Sequence, residues 1–193
     1  LAGNDFGTPD AEELLRNADV AMYMAKRDSK GSYRVFEPTM HEQVVERLEL
    51  QAQLQQALEF EQLEVYYQPV VNLASRTDYG VEALLRWMHP ERGMIPPLNF
   101  IPLAEETELI VPIGRWVLME ACRRAVQLDP RPDGLEIAVN VSAVQLRHPG
   151  LVDDVQRALA AAGLAPSRLI LELTESAVIN EYLEERYPEP ALW

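Results

Sequence analysis

Glu82, Asn140 and Glu172 are the residues of this 193-residue sequence best suited to chemistry, each a polar intrusion into a run otherwise made of Val, Leu, Ile and Ala. All three offer only oxygen, the donor that hard divalent cations such as Mg²⁺ or Mn²⁺ prefer. Zinc asks for His or Cys, which these positions lack; the three histidines are scattered, and His89 and His148 each precede a proline. Arg86 follows Glu82 by four residues, so on a straight strand the two share a face yet stand roughly 13 Å apart. They are no ready ion pair, and an inward carboxylate without a partner is costly to bury. A cation or an anionic ligand meets that need. The bland alternative puts Glu82 and Glu172 on a rim, paired with surface Lys or Arg, and makes Asn140 a turn cap. Glu175 reads as a carboxylate at a helix N-terminus, and Gln68-Pro69 taken alone as a strand end with a backbone break.

The elements that must position these residues are legible as a change of period. Residues 10–27 carry Leu14, Leu15, Ala18, Ala21, Met22 and Ala25 at helical spacing behind Asp10 as N-cap, and Ser32 to Phe36 alternate as a short strand. Thr39 to Phe60, free of Gly and Pro, reads as a connecting helix; it is also a candidate dimerisation element for a homodimer, although its apolar register is broken. From Leu63 the pattern becomes strand (64–71), turn (75–78) and strand (79–87), a hairpin. Helices over 99–109 and 112–128, a strand over 136–142, a helix over 151–162 closed by Gly163, and a strand over 168–174 follow. Strands alternating with helices predict an α/β fold with a parallel sheet, open or closed into a barrel. In such folds function gathers at the carboxyl ends of the strands, where Glu82, Arg86, Asn140 and Glu172 fall.

Composition narrows the field. With 48% hydrophobic and 25% charged residues the chain is that of a folded protein. Seventeen basic residues against thirty-one acidic ones give a net charge of -14, which disfavours a DNA or RNA polymer as partner. A small dinucleotide differs, because cations and one Arg can neutralise it locally. The single cysteine, Cys122, sits in an apolar helical stretch and reads as a buried structural thiol, which suggests a cytoplasmic, reducing compartment. No apolar run is long enough to be a membrane segment. The length suits one medium domain plus a remnant of another, which makes the chain read as a fragment.

The same residues carry a family likeness. Tyr67-Gln68-Pro69-Val70-Val71, Gly80-Val81-Glu82-Ala83-Leu84-Leu85-Arg86-Trp87, His89-Pro90, Phe100-Ile101-Pro102-Leu103-Ala104-Glu105-Glu106-Thr107, Asn140-Val141-Ser142 and Leu171-Glu172-Leu173-Thr174-Glu175-Ser176 occur in the order shown by EAL domains. Arg16 to Lys26 followed by Tyr33-Arg34-Val35-Phe36 resembles the end of a GGDEF domain. The chain thus resembles part of a tandem GGDEF–EAL cyclic di-GMP signalling protein: a GGDEF remnant over 1–37, a linker helix over 38–60, and an EAL domain over 61–193.

The resemblance implies a partial TIM-type (β/α) barrel whose first strand is antiparallel. It also implies cyclic di-GMP as ligand, hydrolysed to the linear dinucleotide with two Mg²⁺ or Mn²⁺ ions. Carried over by position, Glu82, Asn140 and Glu172 match metal ligands, Gln68 and Arg86 match substrate contacts, and Glu175 matches a residue behind the metal-bearing loop. After Ser176 the likeness fades: the family's adjacent aspartates and catalytic Lys have no counterpart in 177–193, so no complete catalytic set is expected and the chain by itself is expected to be inactive. A binding module that senses cyclic di-GMP or a protein partner without cleaving it is the rival reading.

Overall fold

The computed structural model describes residues 10–28, 32–74 and 77–173. The chain divides into two compact units, Leu1–Gln53 and Leu54–Trp193. In the first, helix α1 (Ala11–Asp28) follows Asp10, whose carbonyl accepts from the amides of Glu13 and Leu14, and Glu12 and Glu13 place negative charge in its first turn. Ala21 and Met24 of α1 pack with Met40, flanked by Val20, Phe36 and Val44, into a small apolar cluster. Met40 and Val44 belong to α2 (Thr39–Ala57), which starts where the connecting helix was expected and stops three residues short of Phe60. The expected strand over Ser32–Phe36 is a correction: the segment has no ladder, because no second strand pairs with it among the described residues. Alternation predicts extended backbone, and only a partner turns it into a strand.

The second unit is a five-stranded mixed sheet with helices against one face. Its strands are β1 (Leu63–Asn72), β2 (Thr77–His89), β3 (Gly93–Ile95), β4 (Glu136–Val141) and β5 (Leu169–Leu173), ordered β1-β2-β4-β5 with β3 paired to β2. β1 runs antiparallel to β2, while β2, β4 and β5 are parallel, as expected for a barrel segment with a reversed first strand. The crossovers are α3 (Pro97–Glu106) and α4 (Ile110–Leu128) between β2 and β4, and α5 (Ala143–Arg147) with α6 (Leu151–Ala162) between β4 and β5. Gly163 ends α6 with φ +66°, the left-handed conformation glycine adopts without cost.

Alternation along each strand decides what faces the helices. On β2, Val81, Ala83 and Trp87 point that way and are buried, Trp87 fully, with Phe100 of α3 edge-on to its ring at 5.7 Å between centroids. Their ladder neighbours Ile137 and Val139 of β4, with Val141 on the same face, complete the layer against Ile113, Val117, Leu118 and Ala121 of α4. The β3 strand and the five-residue α5 were not anticipated, being too short to show a period.

Cys122 lies wholly inside this layer, as expected of a structural thiol. Burial pushes its pKa up to about 11. At pH 8 only about one thiol in a thousand is therefore ionised, and the thiolate is the reactive form. A disulfide-exchange reagent at that pH is expected to leave the native thiol untouched over hours and to titrate one thiol after denaturation; stoichiometric labelling of the folded chain would contradict this placement.

Candidate functional site

The face of the sheet opposite the helices gathers the residues singled out from sequence. Glu82 is the register partner of Gln68 across the antiparallel pair and of Ala138 across the parallel one. Asn140 stands two residues beyond Ala138 on β4, and Glu172 of β5 is its register partner. Register partners share a face, as do residues two or four apart on one strand. Gln68, Glu82, Arg86, Asn140 and Glu172 therefore all project from one face, toward the carboxyl ends of β2, β4 and β5.

Asn140 and Glu82 touch: the amide Nδ2 of Asn140 donates to Glu82 Oε1 at 2.8 Å. The bond joins strands whose sequence positions are 58 apart, a pairing that no local pattern announces. Asn140 is no turn cap. That part belongs to Ser142, which begins α5 as a reciprocal capping box with Gln145: the Gln145 amide donates to Ser142 Oγ and the Ser142 amide to Gln145 Oε1, both at 3.2 Å. A Cβ on Gly114 of α4 would overlap the Gln145 carboxamide, so glycine is what lets α4 and α5 close beneath the end of β4. Ser142 and Gln145 are both buried, and they fix the backbone two residues beyond Asn140.

Among the described residues Arg86 makes no ion pair with Glu82. Its Nη1 donates to the carbonyl of Leu85 at 2.8 Å, and its guanidinium carbon lies 5.7 Å from the centre of the Tyr66 ring. That agrees with the strand arithmetic, which left the two charges too far apart to pair. Glu175 lies outside the described residues.

Between the ends of β2 and β4 opens a cavity of about 420 Å³, lined by Arg86 and Asn140 at one side, by Glu105, Gln145 and Ser142, and by apolar residues of α3 and α4. Burial raises the pKa of Glu105 above the usual carboxylate range, opposed by the charge of Arg147 and aided by that of Glu106. Sequence reasoning missed the participation of Tyr66, Glu105 and Gln145. Their signal lay in tertiary proximity, except that Ser142 and Gln145 have the spacing of a capping box.

The donor set suits a hard divalent cation: two carboxylates and one carboxamide, brought to one face of three adjacent strands. Among the described residues no three His, Cys, Asp or Glu side chains cluster as a metal site, so the amide oxygen of Asn140 is an essential member of any such set. To present that oxygen, the Asn140 carboxamide must turn over and give up its bond to Glu82.

Comparison with known proteins finds relatives of this fold. A family model described as EAL domain matches residues 51–187. The bifunctional diguanylate cyclase/cyclic di-GMP phosphodiesterase MucR of Pseudomonas aeruginosa is 51% identical over 170 residues, covering 88% of this chain and 25% of MucR. The cyclic di-GMP phosphodiesterase PdeR of Escherichia coli is 41% identical over 171 residues, 89% of this chain and 26% of PdeR. The chain thus spans about a quarter of the length of these curated relatives. A solved structure of the PaMucR phosphodiesterase in a c-di-GMP complex superposes with a TM-score of 0.64 at 52% identity, covering 69% of this chain and 55% of that one.

Proposed function

Because the chain belongs to the EAL domain family, we propose that its second unit carries the cation- and phosphate-binding part of a cyclic di-GMP phosphodiesterase site. Glu82, Asn140 and Glu172 are the ligands in this reading, and Gln68 and Arg86 meet the substrate. The observation that carries it is the convergence of the three oxygen-bearing side chains on one face, with Glu82 and Asn140 in direct contact. The names of MucR and PdeR support the substrate, and the oxygen-only donor set supports Mg²⁺ or Mn²⁺. Cations held there would activate a water and offset charge at the phosphoryl group. Arg86 would grip a phosphate oxygen with its planar fork, while Gln68, opposite Glu82 on the antiparallel strand, would offer a carboxamide to the same ligand.

For the first unit we propose the end of a GGDEF domain. The 170 residues matched in MucR are more than residues 54–193 hold, so that likeness runs into the first unit, and MucR is named a diguanylate cyclase as well. No helix among the described residues is long and apolar enough to cross a membrane.

Titration calorimetry with cyclic di-GMP, with and without Mg²⁺, tests the site, followed by chromatography of the nucleotide. Tighter binding in Mg²⁺ supports the phosphodiesterase-type site, and release of the linear dinucleotide would extend it to catalysis. Binding indifferent to the cation would instead favour a sensing module.

A further inference from the structure

The five site residues leave one aromatic on their face unexplained. Tyr66 and Tyr67 are neighbours in β1 but face opposite ways. Tyr67 turns to the helices, where Arg124 lies over its ring at 5.9 Å and burial raises its pKa to about 12. Tyr66 turns to the site face, is paired with Leu84, and keeps 44% of its surface exposed. A large aromatic in so open a place contributes little to the core, which raises the question of what it does there.

Arg86 supplies the answer. Directly across β1 from Arg86 stands Glu64, on the same face, and a cross-strand Arg–Glu pair is the default outcome of such register. Among the described residues, however, no carboxylate pairs with Arg86. Its guanidinium lies over the Tyr66 ring, diagonally back along β1 toward Gln68 and Glu82, and is tied once to the Leu85 carbonyl. An aromatic face attracts a cation without neutralising it, so the charge stays available to an anion where a carboxylate would quench it.

We infer that Tyr66 is a positioning residue for Arg86, holding the guanidinium toward the Glu82 end of the site and away from Glu64, ready for a phosphate oxygen of the dinucleotide. Arg86 enters here in the phosphate-contacting role proposed above, and Tyr66's part depends on it. Tyr66 needs no contact of its own with the ligand, and its π face, not its hydroxyl, is the working part.

The test is a double-mutant cycle on the 193-residue chain, with cyclic di-GMP titrated calorimetrically in Mg²⁺. Tyr66→Leu is expected to weaken binding about 3- to 10-fold, the range of a partly exposed cation–π contact. Tyr66→Phe should stay within about twofold of the parent. In an Arg86→Ala background, Tyr66→Leu should change nothing further. As a readout that needs no ligand, the Arg86 side-chain Nε–H resonance should carry an upfield ring-current shift, kept in Tyr66→Phe and lost in Tyr66→Leu.

Equal weakening by Tyr66→Leu with and without Arg86 would overturn the inference, since Tyr66 would then act by itself. So would an unchanged Nε–H shift in Tyr66→Leu. If Arg86→Ala leaves affinity untouched, the phosphate-contact role fails first, and that of Tyr66 with it. Matching thermal melts of all the variants exclude a folding defect as the cause.

Discussion

Glu82→Gln is expected to remove the Mg²⁺ or Mn²⁺ dependence of cyclic di-GMP binding while leaving the fold intact. The substitution is isosteric, and a glutamine oxygen still accepts the bond from Asn140 Nδ2, so the tie between β2 and β4 survives. What is lost is negative charge at a hard-cation site whose described members include only one other carboxylate, Glu172. Loss of a charged ligand should cost at least what removal of an orienting partner does, about 10- to 100-fold in cation affinity. Paramagnetic Mn²⁺ titration measures this directly, and a thermal melt serves as the control. Unchanged Mn²⁺ affinity would remove Glu82 from the cation site and with it the chemistry assigned to the face.

Arg168→Met is expected to be strongly destabilising. The Arg168 side chain is 4% exposed and donates to four backbone carbonyls: Ala125 at 3.2 Å, Asp129 at 2.9 Å, Arg131 at 2.8 Å and Leu135 at 3.0 Å. Those acceptors run from the last turn of α4 through its C-cap to the approach of β4, so one guanidinium ties off the negative end of a helix and sets the entry of the next strand. Removing it deprives the Asp129 and Leu135 carbonyls of this donor, at about 1–3 kcal/mol each where water cannot reach them, while those of Ala125 and Arg131 keep the amides of Asp129 and Gly134. A net loss of about 3–5 kcal/mol follows, since hydrogen bonds from a charged group contribute about 1.5–3 kcal/mol each. Lysine brings three donors from a single nitrogen and cannot span the four acceptors, so Arg168→Lys should recover less than half of that loss. Urea titration of the three proteins is the measurement. A loss under about 1 kcal/mol for Arg168→Met would mean that the carbonyls find solvent and that the clamp is not structural.

The contrast between these two residues shows what the sequence could disclose. Glu82 was legible because a charge inside an apolar strand contradicts its surroundings, and strand parity put it on a common face with Arg86. Arg168 was not. It lies at the end of a 3-10 turn, Pro166–Arg168, where a basic residue is unremarkable, and its acceptors are 33 to 43 positions away in sequence. Carbonyl oxygens have no signature in residue type. The helices with strong periods emerged close to their observed limits, α6 over the expected span, because a repeated apolar face is a local property. Which strands neighbour one another is not local. The contact of Asn140 with Glu82 and the approach of Arg86 to Tyr66 needed the ladder registers that only the folded sheet provides.

On β2 the two faces have entirely different employment: Glu82, Leu84 and Arg86 look toward the site while Ala83 and Trp87, between and beyond them, are sealed under α3 and α4. Inserting or deleting one residue within the strand would exchange the two sets, driving carboxylate and guanidinium among the helices and casting the indole into water. Errors of that kind cannot yield a well-folded but silent protein, so quality control would meet them as misfolded chains. Variation that retunes ligand affinity without endangering the fold has to proceed by substitution at the even-numbered positions, Tyr66 and Leu84 among them.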